Sequence, residues 1–190
     1  EALAAGGVSD IYISNEVIAR PKLRRVAALA HELNAVGGRL AIAVDSLEGI
    51  ERLAAAIAEN DQLNRPLDPG KSADPLQDAN LAGFDTRKTS IDVFIEIDVG
   101  QGRCGVPPGE AAVALAHAID GQRSLRFAGL QAYHGRAQHF RSIEERREAI
   151  AHAAADVRRT RTLIEAAGMP VDLVTGAGTG TFALEAASGV

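Results

Sequence analysis

The sequence predicts an α/β fold, a partial (β/α)8 TIM-type barrel with about five βα units visible. Three observations predict it. Short apolar runs alternate with longer segments of helical spacing, the pattern of a parallel sheet covered by helices. Three of the predicted strands end in polar, chemically useful residues: DVGQGR at 98–103, YHGR at 133–136 and TG at 175–176. Function spread over many strand ends fits a barrel better than the single crevice of an open doubly wound sheet. The last predicted strand runs into the glycine-rich turn VTGAGTGTF at 174–182.

The elements follow in order. Glu1 to Ala5 reads as the last turns of a helix, ended by Gly6 and Gly7. Residues 10–14 (DIYIS) form the first strand. A helix follows over 20–35, with Pro21 in its first turn and Gly37-Gly38 after its end. The second strand is 40–44. Ser46 is an N-cap for a helix over 47–58. Residues 91–99 form the third strand, and Pro107-Pro108 precedes a helix over about 109–119. The fourth strand covers 125–133. Ser142 and Glu145 make a capping box for a long helix over 142–167, which Gly168 and Pro170 end. Residues 171–174 are the fifth strand. One segment breaks the rhythm. Residues 60–90 hold Pro66, Pro69, Gly70, Pro75 and Gly83 among many Asp, Asn and Lys. So long a structureless stretch is unusual in a compact domain and reads as a loop insertion, either solvated or an active-site lid.

Bulk properties narrow the function classes. The 190 residues suffice for one domain with a sizeable core, and 46% hydrophobic with 24% charged residues is ordinary for a globular protein. A net charge of −5 disfavours nucleic acid and anionic membrane as partners. No apolar stretch has the length of a membrane span, and there is no signal peptide. The single Cys104 excludes an internal disulfide and points to a reducing, cytoplasmic setting. The chain begins at Glu1 without an initiator Met, so it reads as cut from something longer.

The glycine-rich turn can cradle an anion on backbone N–H groups, helped by the dipole of the helix that follows. Bare backbone at Gly176, Gly178 and Gly180 would admit a phosphate. No Lys follows the glycines, and GAGTG is not GxGxxG, so neither nucleotide-binding pattern applies. The turn therefore points to a phosphorylated ligand or to an ordinary tight βα turn. Arg103 at a strand end can hold a phenolate or carboxylate, or be a surface Arg. Tyr133 can hydrogen-bond a ring atom, and His134 or His139 can move protons, or all three can be plain loop residues. Glu96 and Asp98 share a strand face and need a partner, such as Arg103 or a ligand. Cys104 reads as a packed residue. His31, His117 and His152 lie in helical patterns without the HExxH spacing of a zinc helix, so no metal site made wholly of this chain is expected.

The segments 97–106 (IDVGQGRCGV), 129–139 (GLQAYHGRAQH) and 174–182 (VTGAGTGTF) resemble the D-threonine aldolase family, within it most the 3-hydroxy-D-aspartate aldolase branch, of the alanine-racemase-like class of pyridoxal-phosphate enzymes. Residues 9–17 (SDIYISNEV) and 41–46 (AIAVDS) fit the same series, whereas about 61–90 does not and looks inserted. The resemblance implies that residues 1–190 are the central part of a pyridoxal 5'-phosphate-binding (β/α)8 barrel. Its first strands and a C-terminal β domain would lie outside the chain. Thr175, Gly176, Gly178 and Thr179 would hold the cofactor phosphate, Arg103 its phenolic oxygen, and Tyr133 would sit near the pyridine nitrogen. The family's cofactor-bonding lysine would precede Glu1, since Lys22, Lys71 and Lys88 do not match it. A divalent cation (Mg, Mn or Co) would be held by residues beyond Val190. The implied reaction is retro-aldol cleavage of a D-β-hydroxy-α-amino acid to glycine and an aldehyde, or glyoxylate from 3-hydroxy-D-aspartate. This chain alone would be inactive, and the parent a monomer or homodimer. His134 and His139 are the candidate proton carriers. A D-serine or 3-hydroxyaspartate dehydratase, an amino-acid racemase, and a non-catalytic cofactor-binding barrel fragment stay open beside it.

Overall fold

In the computed structural model, which describes residues 1–64 and 89–190, five parallel strands lie in the order in which the chain makes them. They are β1 (Asp10–Glu16), β2 (Arg39–Val44), β3 (Ile91–Glu96), β4 (Leu125–Gln131) and β5 (Leu173–Thr175). Together they form a half-barrel. The helices are α1 (Ala2–Ala5), α2 (Arg20–Ala35), α3 (Leu47–Leu63), α4 (Glu110–Asp120), α5 (Ile143–Ala166) and α6 (Phe182–Ala186). A short 3-10 segment, Gly135–His139, follows β4.

Strand parity divides the sheet into two faces. Ile91, Val93, Ile95 and Ile97 are wholly buried in the main core, with Leu40, Ile42 and Val44 of β2 and the apolar stripes of α2, α3 and α4. The other parity looks into the half-barrel, where Tyr12, Ala41, Phe94 and Ala128 make a separate small cluster. At the lower end of that face, Arg126 pairs with Asp92, Nε to Oδ1 at 2.8 Å, and Arg39 pairs with Asp10 at 2.5 Å.

Helix starts follow the sequence. Ser46 Oγ accepts from the Gly49 N–H at 3.2 Å, and the Ser142–Glu145 capping box forms in both directions. Helix α4 starts at Gly109, whose φ of +101° needs glycine and whose N–H donates to the buried Thr160 hydroxyl at 2.9 Å. Other boundaries moved. Helix α3 runs to Leu63 rather than stopping near 58; its last turns are held by Arg24, which donates to Glu59, and by Thr89, which donates to Asp61. The rest of the expected insertion, 65–88, lies outside the described residues. Strand β3 ends at Glu96 rather than 99, since Asp98 folds back to bind its own loop; only an Ile97–Val106 bridge continues it. Strand β4 ends at Gln131 rather than 133, opposite Thr175, where β5 stops. Strand β5 spans Leu173–Thr175, later than the expected 171–174.

Two irregularities shape the upper edge. One lies in β1, where Ile13 pairs with Ile42 but the next pair is Glu16 with Ala43. The other lies in β4, around Ala128. There Gly129, at φ +144°, passes so near β5 that a Cβ would stand 1.9 Å from the Leu173 carbonyl oxygen. Bulges of this kind re-aim side chains at barrel rims.

Candidate active site

Every strand contributes something to the C-terminal edge, and the loops above the strands are tied to one another. The loop after β3 is organised by Asp98. Its Oδ1 accepts from the N–H groups of Gly100 and Gly102, both at 3.0 Å. Burial opposes ionisation there, but the N–H groups of Gly102, Gly100 and Gln101 together hold the Asp98 carboxyl below its ordinary range. The loop after β2 joins through Asp45, whose Oδ2 accepts from the Gly105 N–H at 3.2 Å.

The loops after β3 and β4 interlock. Gln101 Oε1 accepts from the Gly135 N–H at 3.0 Å, and a Cβ on Gly100 would come within 2.9 Å of His134 Nε2. His134 is 5% exposed, stands edge-on to Phe140 with ring centroids 6.4 Å apart, and leaves Nδ1 without a hydrogen-bond partner among the described residues. Burial pushes its pKa below the usual histidine value, against the pull of Asp98, so the ring is neutral at physiological pH. Tyr133 is half-buried beside it.

The loop after β4 is in turn bound to the glycine-rich turn by Gln138. Its Oε1 accepts from the Gly180 N–H at 2.6 Å, and its Nε2 donates to Thr181 Oγ1 at 2.8 Å. Thr181 is buried, and its hydroxyl also lies 3.3 Å from the Gly178 nitrogen. The N–H groups of Ala177 and Thr179 have no intramolecular partner among the described residues. Ala177 takes a left-handed φ of +67°, which turns successive N–H groups towards one side. Two sequence expectations change here. Gly178 and Gly180 do not face open space, since their bare Cα atoms abut the Gln138 amide and Gly176 abuts the Ala132 carbonyl. The helix after the turn, α6, has only five residues, so its macrodipole adds little and the turn's own N–H groups are what remains.

The predicted residues divide. Arg103 is exposed on the loop after β3, beside Cys104, and the charges of Glu96 and Glu16 act on its guanidinium. Thr175 places its hydroxyl 3.5 Å from the Tyr12 hydroxyl and 3.5 Å from Gln131 Oε1. His139 is exposed in the 3-10 segment. His117 and His152 are exposed on helices, and His31 Nδ1 lies 3.3 Å from Thr89 Oγ1 on the helical layer. Glu96 and Asp98 do not act together, since Asp98 serves its loop while Glu96 Oε2 accepts from Gln131 Nε2 at 2.7 Å inside the half-barrel. Cys104 does not simply pack: its Sγ, one carboxylate oxygen of Glu16 and one of Glu96 lie within 4.8 Å of one another. Sequence reasoning overlooked Glu16, Gln131 and the joint made by Gln138 and Thr181. Gln131 carried a readable signal, a polar residue in an apolar strand at inward parity.

Among the described residues no helix is long and apolar enough to cross a membrane. The model of the alanine racemase N-terminal domain matches residues 16–188. A D-threonine aldolase from Arthrobacter sp. is 35% identical over 98% of this chain and 41% of its own length. A 3-hydroxy-D-aspartate aldolase from Paracoccus denitrificans is 33% identical over the whole chain and 41% of its own length. The chain thus spans about two fifths of the curated relatives it matches. The crystal structure of D-threonine aldolase from Filomicrobium marinum superposes with a TM-score of 0.77 at 34% identity, over the whole chain and 42% of that structure.

Proposed function

Because the chain belongs to the alanine racemase N-terminal domain family, we propose that it is the cofactor-binding part of a pyridoxal-phosphate-dependent aldolase for D-β-hydroxy-α-amino acids. The substrates we infer are 3-hydroxy-D-aspartate, giving glycine and glyoxylate, or D-threonine, giving glycine and acetaldehyde. The observation that carries this reading is the joining of three loops above β3, β4 and β5 by Gln101 and Gln138. Those loops bring a guanidinium, a neutral histidine and a turn with free N–H groups to one edge of the sheet.

The residues present fit a phosphorylated, phenolic cofactor. A phosphate would be met by the N–H groups of Ala177 and Thr179, in the turn with Gly176 and Gly178, and a phenolate by Arg103. Tyr133 would flank the ring. Thr175, the last residue of β5, leads into the turn, and its hydroxyl lies 3.5 Å from that of Tyr12. Bound pyridoxal phosphate supplies the electron sink for the carbon–carbon bond that breaks. His134, neutral and with Nδ1 unpaired, can accept the β-hydroxyl proton; His139, at the exposed end of the same loop, is the other candidate. The lysine that bonds to the cofactor and the ligands of the divalent cation would come from segments outside this chain, which alone would not turn over substrate.

The test is to incubate the full-length protein with pyridoxal phosphate, a divalent cation and either D-threonine or 3-hydroxy-D-aspartate. Glycine with acetaldehyde or glyoxylate is expected. An α-keto acid and ammonia without glycine would replace the aldolase by a dehydratase, and D-to-L conversion would replace it by a racemase.

A further inference from the structure

Below Arg103, two carboxylates and a thiol meet at the upper end of the half-barrel. Glu16 closes β1, Glu96 closes β3, and Cys104 lies on the loop between β3 and α4. The irregularity in β1 places Glu16 opposite Ala43 and frees the Ser14 carbonyl, which accepts from Gln131 Nε2 at 3.1 Å. The same Nε2 donates to Glu96, while Gln131 Oε1 accepts from the Tyr12 hydroxyl. Gln131 is thereby fixed with its donor on Glu96 and has nothing left for Glu16. Glu16 Oε1 is buried without a hydrogen-bond partner among the described residues. Tyr12 and Glu16 from β1, Gln131 from β4, and Arg103 and Cys104 from the β3 loop are the polar and charged groups around Glu96. From the β2 side, Ala43 pairs with Phe94 and Val44 with Ile95, and the next residue, Asp45, accepts from the Gly105 N–H at 3.2 Å.

Two carboxylates so close, with one of their four oxygens stranded, are relieved by a proton between them. We infer that Glu16 and Glu96 share one proton and form a seat of single negative charge that positions Arg103 at the mouth. The pair then balances the guanidinium one to one. Fully ionised, it would draw Arg103 down into the half-barrel and away from a ligand. Glu96 behaves accordingly: burial first, then the Glu16 carboxyl, lifts its pKa to about 7 against the opposing Gln131 and Arg103. Burial and Glu16 also raise the Cys104 thiol above its ordinary range. The inference rests on the proposed function only in giving Arg103 a ligand to face.

Cys104 is the one cysteine of this chain and reports on the pair. Its alkylation by iodoacetamide in the cofactor-free full-length protein, followed by mass spectrometry of its peptide, measures thiolate at each pH. Above about pH 8, where the wild-type pair has lost its shared proton, Glu16→Gln and Glu96→Gln should each speed the reaction about three- to tenfold, the effect of lowering the thiol pKa by about half to one unit, whereas below about pH 6 wild type and variants carry the same single charge and should react alike. Carboxyl-carbon NMR should give a Glu96 midpoint near neutrality that returns towards the ordinary carboxylate range in Glu16→Gln. Should either variant fail to fold, the wild-type titration and the other variant decide. Glu16 and Glu96 titrating independently in the ordinary range would overturn the shared proton, as would stoichiometric Zn2+ binding at the cluster with proton release. A separate titration with pyridoxal phosphate tests Arg103. If the cofactor binds and both variants keep the wild-type pH profile of affinity, the positioning role falls. If it does not bind while the carboxyl titration holds, the proposed function falls and the shared proton stands.

Discussion

The two faces of β3 are built from alternate residues of one strand, yet they follow different rules. The outer face, Ile91, Val93, Ile95 and Ile97, is wholly apolar, at most 1% exposed and closed by helices. The inner face, Asp92, Phe94, Glu96 and then Asp98, carries charge along most of its length. Outside, each side chain is held by close packing. Inside, each is held by one or two named partners: Arg126 for Asp92, Gln131 for Glu96, loop amides for Asp98. The difference separates the face that makes the fold stable from the face that makes a site. It also implies that the two should respond to different perturbations, the outer to volume and the inner to pH.

The largest expected effect breaks the outer face. Ile95 is fully buried between β3 and the helices, so Ile95→Ala should cost about 2–5 kcal/mol in denaturant unfolding, with no change in its pH dependence. A loss under about 1 kcal/mol would mean that the outer face collapses around the cavity and that the contrast is overdrawn.

The inner face should respond to pH instead. The Glu96 carboxyl titrates near 7 when folded and near 4.5 when unfolded. Between those values the folded state holds the proton that the unfolded state releases, so stability falls as pH rises. The contribution is fully present below about 4.5 and gone above about 7. A shift of that size corresponds to about 3 kcal/mol, less whatever solvent screening removes. Glu96→Gln, uncharged at all pH, should flatten this part of the profile. Unfolding curves of wild type and variant that stay parallel from about pH 4 to about pH 8 would remove Glu96 as its source.

The same contrast explains what the sequence disclosed. Outer-face periodicity is a local property, so strands, helices, caps and the half-barrel were legible from spacing, and the α2 boundaries, 20 to 35, were read to the residue. The polar strand ends were legible too, because charge interrupting an apolar run is visible along the chain. Partnerships were not. Gln131 and Glu96 are 35 residues apart, Gln138 and Thr181 are 43 apart, and Tyr12 and Gln131 are 119 apart. Nothing along the chain says that a β-bulge will place Glu16 next to Glu96 or that Asp98 will spend its carboxylate on its own loop. The glycines show the limit most sharply. Their spacing in 176–180 reads as room for an anion, whereas the folded chain puts a side chain against two of them.

That last point gives the smallest expected effect on stability and the sharpest question for the site. A Cβ on Gly178 would stand 2.3 Å from Gln138 Nε2, and Gly178 has no left-handed φ. The bare Cα is needed at that position because of Gln138, and backbone strain is not the reason. Gln138→Ala removes an acceptor from the exposed Gly180 N–H, which water can replace, so it should cost no more than about 1 kcal/mol. Gly178→Ala alone should disturb the turn, because the Gln138 amide must leave its place between Gly180 and Thr181. In Gly178→Ala/Gln138→Ala the clash is gone. If the double variant recovers both thermal stability and affinity for pyridoxal phosphate, Gly178 serves Gln138 and the anion is held by the N–H groups of Ala177 and Thr179 alone. If stability returns and affinity does not, the methyl group occupies space that the phosphate needs, and the glycine belongs to the cradle itself. A single-variant experiment cannot tell these apart, because both causes weaken binding, whereas the double variant separates a side chain's footing from a ligand's.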